Sequence, residues 1–107
     1  MDGSQITINE VMNDGKVVHL YFNNLTGLYM AVGLSAYIAM KHIGGVESYS
    51  EQLQMPMVQM TKAQYEELCV KLHVQKDAKK GYVLIEAADA IDEADYQNWA
   101  SKLRNDV

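Results

Sequence analysis

The chain has 107 residues, of which 49% are hydrophobic and 21% charged, as in an ordinary soluble globular protein. Nine basic against fourteen acidic residues give a net charge of −5, which argues against nucleic acid or an anionic membrane as a partner. The length predicts one domain that spans residues 1–107 around one core.

The sequence predicts no targeting signal. The first residues include an acid and no basic segment, so we expect no secretory signal. The longest apolar stretch, Gly27–Met40, is shorter than the roughly 20 residues that a membrane-spanning helix needs. The single cysteine, Cys69, excludes an internal disulfide and fits a reducing compartment. These features predict a soluble, cytoplasmic protein.

The N-terminal part of the chain suggests a β-hairpin. Ile6–Asn9 alternates apolar and polar residues, and Lys16–Phe22 is rich in β-branched and aromatic residues. The Asp-Gly pair at residues 14 and 15 is typical of a two-residue hairpin turn. In that register Glu10 falls opposite His19, either as an acid–base pair or as an ordinary cross-strand ion pair.

A buried helix is predicted from Gly27 to His42. Thr26 is a suitable N-cap, and the glycines at 44 and 45 are suited to the helix end. Ser35 is its only polar residue before Lys41, and a helix that is apolar all round is buried on all sides. Small residues recur at every fourth position of this helix, namely Gly27, Ala31, Ser35 and Ala39.

The C-terminal half predicts two strands and two helices. Met55–Met60 is a candidate strand that Pro56 restricts to a sheet edge or a strand start. Thr61 and Gln64 form a capping-box pattern before a helix, and Tyr82–Ile85 is typical of an interior strand. Acidic residues at 89–95 then begin a last helix. We therefore expect an α+β fold in the order β-β-α-β-α-β-α, with a small mixed sheet, an N-terminal hairpin and three helices, one of them almost fully buried.

Catalytic and metal-binding patterns are weak. Cys69 and His73 are four residues apart, but a nucleophile in mid-helix has no spare backbone donors to stabilise an oxyanion. The acidic residues around Asp92 lack the spacing of a calcium loop, and carboxylates are common at helix starts. We expect no metal, no cofactor and no enzymatic activity, although a small enzyme stays an alternative.

One strand-to-helix join is a candidate ligand site. Helix N-termini bind anions, and the polar side chains of Asn23, Asn24 and Thr26 could bind a small anion or a sugar hydroxyl. The alternative interpretation is an ordinary turn and N-cap. The candidate residues for ligand binding are Asn23, Asn24, Thr26 and Gly27.

The leading functional hypothesis is a small protein-interaction or regulatory module that forms a homodimer. It rests on the apolar helix and on the two apolar faces of the hairpin, which a chain of this size has few elements to cover. A different protein partner is the other possibility, and a ligand-binding protein or enzyme at residues 23–27 is the alternative function. The predicted interface residues are Met55, Met57, Met60, Ala31 and Ser35.

Overall fold

The sheet at the centre of the protein has six antiparallel strands in the spatial order β3-β4-β2-β1-β6-β5. A computed structural model describes residues 6–8, 10, 13, 17–23, 25–76, 82–86 and 92–105. The strands are β1 (Val17–Asn23), β2 (Leu28–Val32), β3 (Val46–Ser50), β4 (Met55–Met60), β5 (His73–Lys76) and β6 (Tyr82–Glu86). The helices are α1 (Gly33–Ile43), α2 (Lys62–Lys71) and α3 (Glu93–Asn105). The predicted α+β class is confirmed.

The predicted N-terminal hairpin is wrong in its first strand, whereas its second strand, predicted at Lys16–Phe22, corresponds to β1. Residues 6–8 and 10 have helical backbone, so the strand predicted at Ile6–Asn9 is wrong. Instead β1 pairs with β2, with Asn23 opposite Leu28. The predicted turn residues 14 and 15 lie outside the described residues. Both β1 and β2 pair with a further strand, β6 and β4 respectively. Hydrogen bonds on both sides stabilise the strand conformation of these two segments, and this outweighs the strand signal of the apolar–polar alternation at residues 6–9.

The predicted helix at residues 27–42 is a strand followed by a shorter helix. Leu28–Val32 forms β2, and α1 begins only at Gly33. An apolar run has neither strand nor helix periodicity, so local sequence does not decide between the two. Tertiary pairing decides here, because β2 lies between β1 and β4 and hydrogen-bonds to both.

The main core lies between the sheet and the helices. Buried α1 residues Ile38 and Ala39 belong to one cluster with Val18, Leu20 and Val58 of the sheet. Leu68 of α2 is also fully buried there, and Trp99 of α3 packs against the cluster. The predicted burial of this helix is therefore achieved by the protein's own sheet and flanking helices.

A second, smaller apolar cluster involves other residues of the same strands. Val32 and Tyr21 are buried with Ile6, and Met30 and Met57 pack against them. Val32 and Met57 are partners in the β2–β4 register, next to Ala31 and Val58, which belong to the main cluster. Because neighbouring strand residues point to opposite faces, both faces of the sheet carry apolar packing, as predicted.

Several C-terminal elements agree with the sequence prediction. Thr61 and Gln64 form the predicted capping box at the start of α2, with the Gln64 amide 3.2 Å from the Thr61 hydroxyl. Lys71 and Glu67 form an i,i+4 ion pair at 3.5 Å. The Asp92 carboxylate accepts the Ala94 amide at 3.0 Å, which supports the reading of that acidic segment as a helix start. The sheet is antiparallel in all described pairings, whereas a mixed sheet was expected.

Candidate functional site

Of the predicted ligand-site residues, Asn23 ends β1, and Thr26 and Gly27 lie in the turn before β2. The Gly27 amide donates to the Asn23 carbonyl at 2.8 Å, and the Leu25 amide donates to the Asn23 side chain at 2.9 Å. Asn23, Thr26 and Gly27 are exposed, and Asn24 lies outside the described residues. The join leads into a strand, so the helix amides on which the anion-binding hypothesis depended are not located here.

A polar site with several buried hydrogen bonds lies at the true start of α1. Glu10 is only 7% exposed, and its Oε1 atom accepts the Ser35 amide at 3.0 Å. The Ser35 hydroxyl, itself fully buried, donates to Glu10 Oε2 at 2.6 Å. Val32, the N-cap residue, provides no side-chain hydrogen bond to the helix. Glu10 therefore caps α1 from a distant part of the chain.

Two further residues complete this hydrogen-bonded network. The Ser35 Oγ atom accepts the backbone amide of His19 at 2.9 Å. The Asn13 side-chain amide lies 3.1 Å from Ser35 Oγ, 3.3 Å from Glu10 Oε1 and 3.0 Å from the Val17 carbonyl. The network thus joins the N-terminal segment, β1 and α1 through one buried serine.

The environment shifts the titration of two groups near Ser35. Burial raises the pKa of the Glu10 carboxyl above its usual value, and hydrogen bonds from Ser35 and Asn13 act in the opposite direction. Burial also lowers the pKa of the His19 imidazole. The predicted cross-strand pairing of Glu10 with His19 is wrong, because His19 lies opposite Leu84 in the sheet. The Ser35 hydroxyl links the two residues, because it donates to Glu10 and accepts the His19 backbone amide.

Ser35 was assigned to an interface from the sequence, and its role in the network was missed. The signal was present, because a serine was the sole polar residue within a long apolar run. A buried hydroxyl needs a hydrogen-bond partner, so such a serine predicts a polar group against it. The identity of that group depends on the tertiary fold.

Cys69 and His73, the other candidate pair, lie on different elements of the structure. Cys69 is half-buried on α2 and packs against the main core. His73 begins β5, so the predicted helical pairing of Cys69 with His73 is wrong. Among the described residues, no group of three or more histidine, cysteine or acidic residues is arranged to hold a metal ion.

The predicted interface residues divide into two sets. Ala31 and Ser35 are fully buried in the chain and Met60 is 1% exposed, so these side chains are enclosed by the chain itself. Met55 and Met57 are half-buried. The strand β4 that carries them is not at the sheet edge, because β3 lies outside it. Pro56 is tolerated near the start of β4, where the register with β2 reaches only to Met57.

The two edge strands of the described sheet, β3 and β5, differ in how readily their outer backbone groups could pair with another chain. The register between β5 and β6 shifts between Val74 and Lys76, as at a β-bulge, and β5 ends with a lysine. Bulges and lysines are features that prevent an edge from pairing with another chain. The strand β3 has the sequence VESYS and a regular register with β4. It contains neither proline nor lysine.

Comparisons with family models, curated proteins and solved structures found no match to this chain. In the part of the chain that the structure describes, no helix is both long and apolar enough to cross a bilayer.

Proposed function

We propose that this protein is a non-enzymatic interaction module that forms a homodimer through the edge strand β3. The observation that carries the proposal is the contrast between the two sheet edges: β5 has a bulge and a lysine, and β3 has neither. An open edge strand offers backbone donors and acceptors to another extended strand. A second copy of the chain provides an identical strand, and a two-fold dimer is the commonest closed assembly.

The β3 sequence is compatible with antiparallel pairing to itself. A two-fold axis at Ser48 sets Val46 opposite Ser50 of the second copy and Glu47 opposite Tyr49 of the second copy. Like charges directly opposite each other would destabilise the pair, and this register contains none. Val46 is 66% exposed and Glu47 is exposed, so the outer end of β3 is accessible in the isolated chain.

The proposal is tested by measuring the mass in solution. Sedimentation velocity at chain concentrations from about 10 μM to 1 mM covers the affinity range of weak to moderate dimers. We expect a species of twice the 12.0 kDa chain mass to increase with concentration. A 12.0 kDa species at every concentration would reject the homodimer.

A matched pair of variants identifies the surface. Val46→Lys adds a hydrated charge at the β3 edge, whereas Val70→Lys makes the same change at the 87% exposed Val70 of α2. We expect Val46→Lys to weaken dimerisation about fivefold, because both copies contribute one altered cross-strand pair. Val70→Lys should leave it unchanged. Equal effects of the two variants would remove β3 from the interface.

Cross-linking tests the position of the axis. In a background with Cys69→Ala, Ser48→Cys brings two thiols together at the axis, within the Cα separation of about 4.4–6.8 Å that disulfides need. We expect mild oxidation to give a covalent dimer. Ser101→Cys, at an exposed position of α3, is the control and should react far less. Equal cross-linking at both positions would contradict pairing centred on Ser48.

A further inference from the structure

The edge strand β3 and the helix α3 share a low degree of burial. All residues of both elements are described, and none of them is buried. By contrast, α1 has six buried residues, α2 buries Leu68, and the neighbouring strand β4 buries Val58 and Met60. The free energy of opening an element increases with the apolar contacts that it loses. We therefore expect β3 and α3 to open at a lower free energy than the main core.

A hydrogen bond joins these two elements to each other. The indole N–H of Trp99 on α3 donates to the carboxylate of Glu47 on β3, 52 residues away in sequence. The body of α3 packs against β3 and β4. A helix of 13 residues is marginally stable in water without tertiary packing. Separation of α3 from the sheet should therefore unfold the helix and release Glu47 in the same event.

The contact of α3 with α1 is aromatic and lies outside the centre of the core. The rings of Tyr96 and Trp99 are half-buried, and their centroids are 5.6 and 5.5 Å from that of Tyr37 on α1. Tyr37 is only 4% exposed, and the Lys41 ammonium nitrogen is 5.2 Å from its ring. Because α3 covers Tyr37 with partly exposed rings, this contact can separate while the rest of α1 stays packed on the sheet.

We propose that β3 and α3 form one displaceable unit, which opens as a whole while the main core stays intact. Opening exposes Tyr37 and leaves β4, with the largely apolar sequence MPMVQM, at the edge of the sheet. The closed unit thus covers an apolar strand whose backbone groups could pair with another chain. It also regulates the homodimer, a consequence that rests on the proposed function, because an ordered β3 is present only in closed chains.

Native-state hydrogen exchange tests the opening. In ¹H–¹⁵N spectra, the relevant amides are those of α3 and those of β3 that hydrogen-bond to β4. After correction for intrinsic rates, we expect both sets to exchange at least about tenfold faster than the amides of Ile38 and Ala39 in α1. Exchange of both sets at the slow rate of α1 would show that they open only with the whole fold, and would overturn the proposal.

Two single variants test whether β3 and α3 open together. Trp99→Phe removes the indole donor and keeps an aromatic ring, and Glu47→Ala removes the acceptor. We expect Trp99→Phe to accelerate exchange in β3, and Glu47→Ala to accelerate it in α3, each about fivefold and without a change in α1. Glu66→Ala, at an exposed position of α2, is the control and should accelerate neither. Acceleration confined to the element that carries the substitution would contradict a single unit.

The double variant distinguishes the hydrogen bond from two independent effects. Since the Trp99–Glu47 hydrogen bond can be lost only once, Trp99→Phe combined with Glu47→Ala should accelerate exchange little more than either change alone. A multiplied effect of about twenty-fivefold would show that the two residues act separately, and would remove this hydrogen bond as the link between β3 and α3.

Concentration separates this proposal from the proposed dimer. Opening within one chain does not depend on concentration, whereas dimerisation through β3 should slow exchange in both elements as concentration rises from about 50 μM to 1 mM. Coupled exchange that is equal at both concentrations would support the unit and reject the dimer. Slower exchange at the higher concentration in β3 alone, with no response of α3 to Glu47→Ala, would support the dimer and reject the unit.

Discussion

Glu10 and Ser35 are 25 residues apart in sequence, and the Ser35 amide and hydroxyl both donate to the Glu10 carboxylate, at 3.0 and 2.6 Å. This relationship connects the N-terminal segment with the first turn of α1. The helix has no cap from its own N-cap residue, so Glu10 satisfies a donor that would otherwise be buried without a partner. The stability of the β2–α1 junction should therefore depend on both residues.

Ser35→Ala should destabilise the fold clearly. The change removes a hydrogen bond to a carboxylate and leaves the His19 amide without its acceptor. We expect a loss of about 2–3 kcal/mol in the free energy of unfolding, measured by urea denaturation. The control Ser101→Ala, at an exposed position of α3, should change it by less than about 0.5 kcal/mol. If Ser35→Ala changed the free energy of unfolding as little as the control does, the hydrogen-bonded network would contribute little to stability.

Glu10 should make the protein less stable as the pH rises. Burial raises its pKa in the folded state above the unfolded value of 4.5, so the folded state binds more protons in this interval. Stability is therefore lost from about pH 4.5 upward until the raised pKa is passed. His19 has a lowered pKa and acts in the opposite sense, because its contribution is lost as the pH falls below 6.5.

Glu10→Gln isolates this effect, since His19 is present in both proteins. We expect the free energy of unfolding at pH 7 minus that at pH 4 to be more positive in the variant than in the parent. Urea denaturation at matched ionic strength measures both differences. A difference that is identical in the two proteins, or more negative in the variant, would contradict the raised pKa of Glu10.

Gly33 should tolerate substitution less well than Gly27. Both have positive φ angles, +59° and +72°, where a side chain costs about 1–2 kcal/mol. A Cβ atom at Gly33 would also lie 3.3 Å from two Glu10 side-chain carbons, whereas one at Gly27 would meet nothing within 4 Å. Gly33→Ala should therefore lower the free energy of unfolding by about 1 kcal/mol more than Gly27→Ala. Equal losses would indicate that Glu10 moves aside at little cost.

Capping patterns in the sequence correctly predicted the helix starts that depend on contacts between residues close in sequence. The capping box of Thr61 and Gln64 and the helix start at Asp92 both rely on contacts within three residues. The α+β class also followed from patterning. In contrast, the apolar stretch from Gly27 to Met40 has no periodicity that separates strand from helix, and its division at Gly33 depends on pairing with β4.

The candidate site was less accessible from the sequence than the fold. Residues 23–27 resemble a helix start in composition, but Asn, Thr and Gly are equally common in turns between strands. The cap of α1 comes from Glu10, which local rules would not connect to Ser35. Edge strands likewise follow from the spatial order of the sheet. Pro56 allowed Met55–Met60 to be an edge strand or a strand start, and the segment is an interior strand with Pro56 as its second residue.

Ala39→Leu should show that α1 is the tightly packed centre of the fold. Ala39 is fully buried among sheet residues, and three extra carbons have no space in the main core. We expect a loss of about 1–3 kcal/mol in the free energy of unfolding. Ala63→Leu, at an exposed position near the start of α2, is the matched control and should change it by less than about 0.5 kcal/mol.

Hydrogen exchange gives an independent readout of the same packing. The amides of Ile38 and Ala39 should exchange far more slowly than those of the turn at residues 51–54, because α1 opens only when the core does. In Ala39→Leu the slow amides should exchange faster in proportion to the lost stability. If the parent's α1 amides exchange as fast as the turn, this helix is not the stable centre that its burial indicates, and the cost of overpacking must then arise elsewhere.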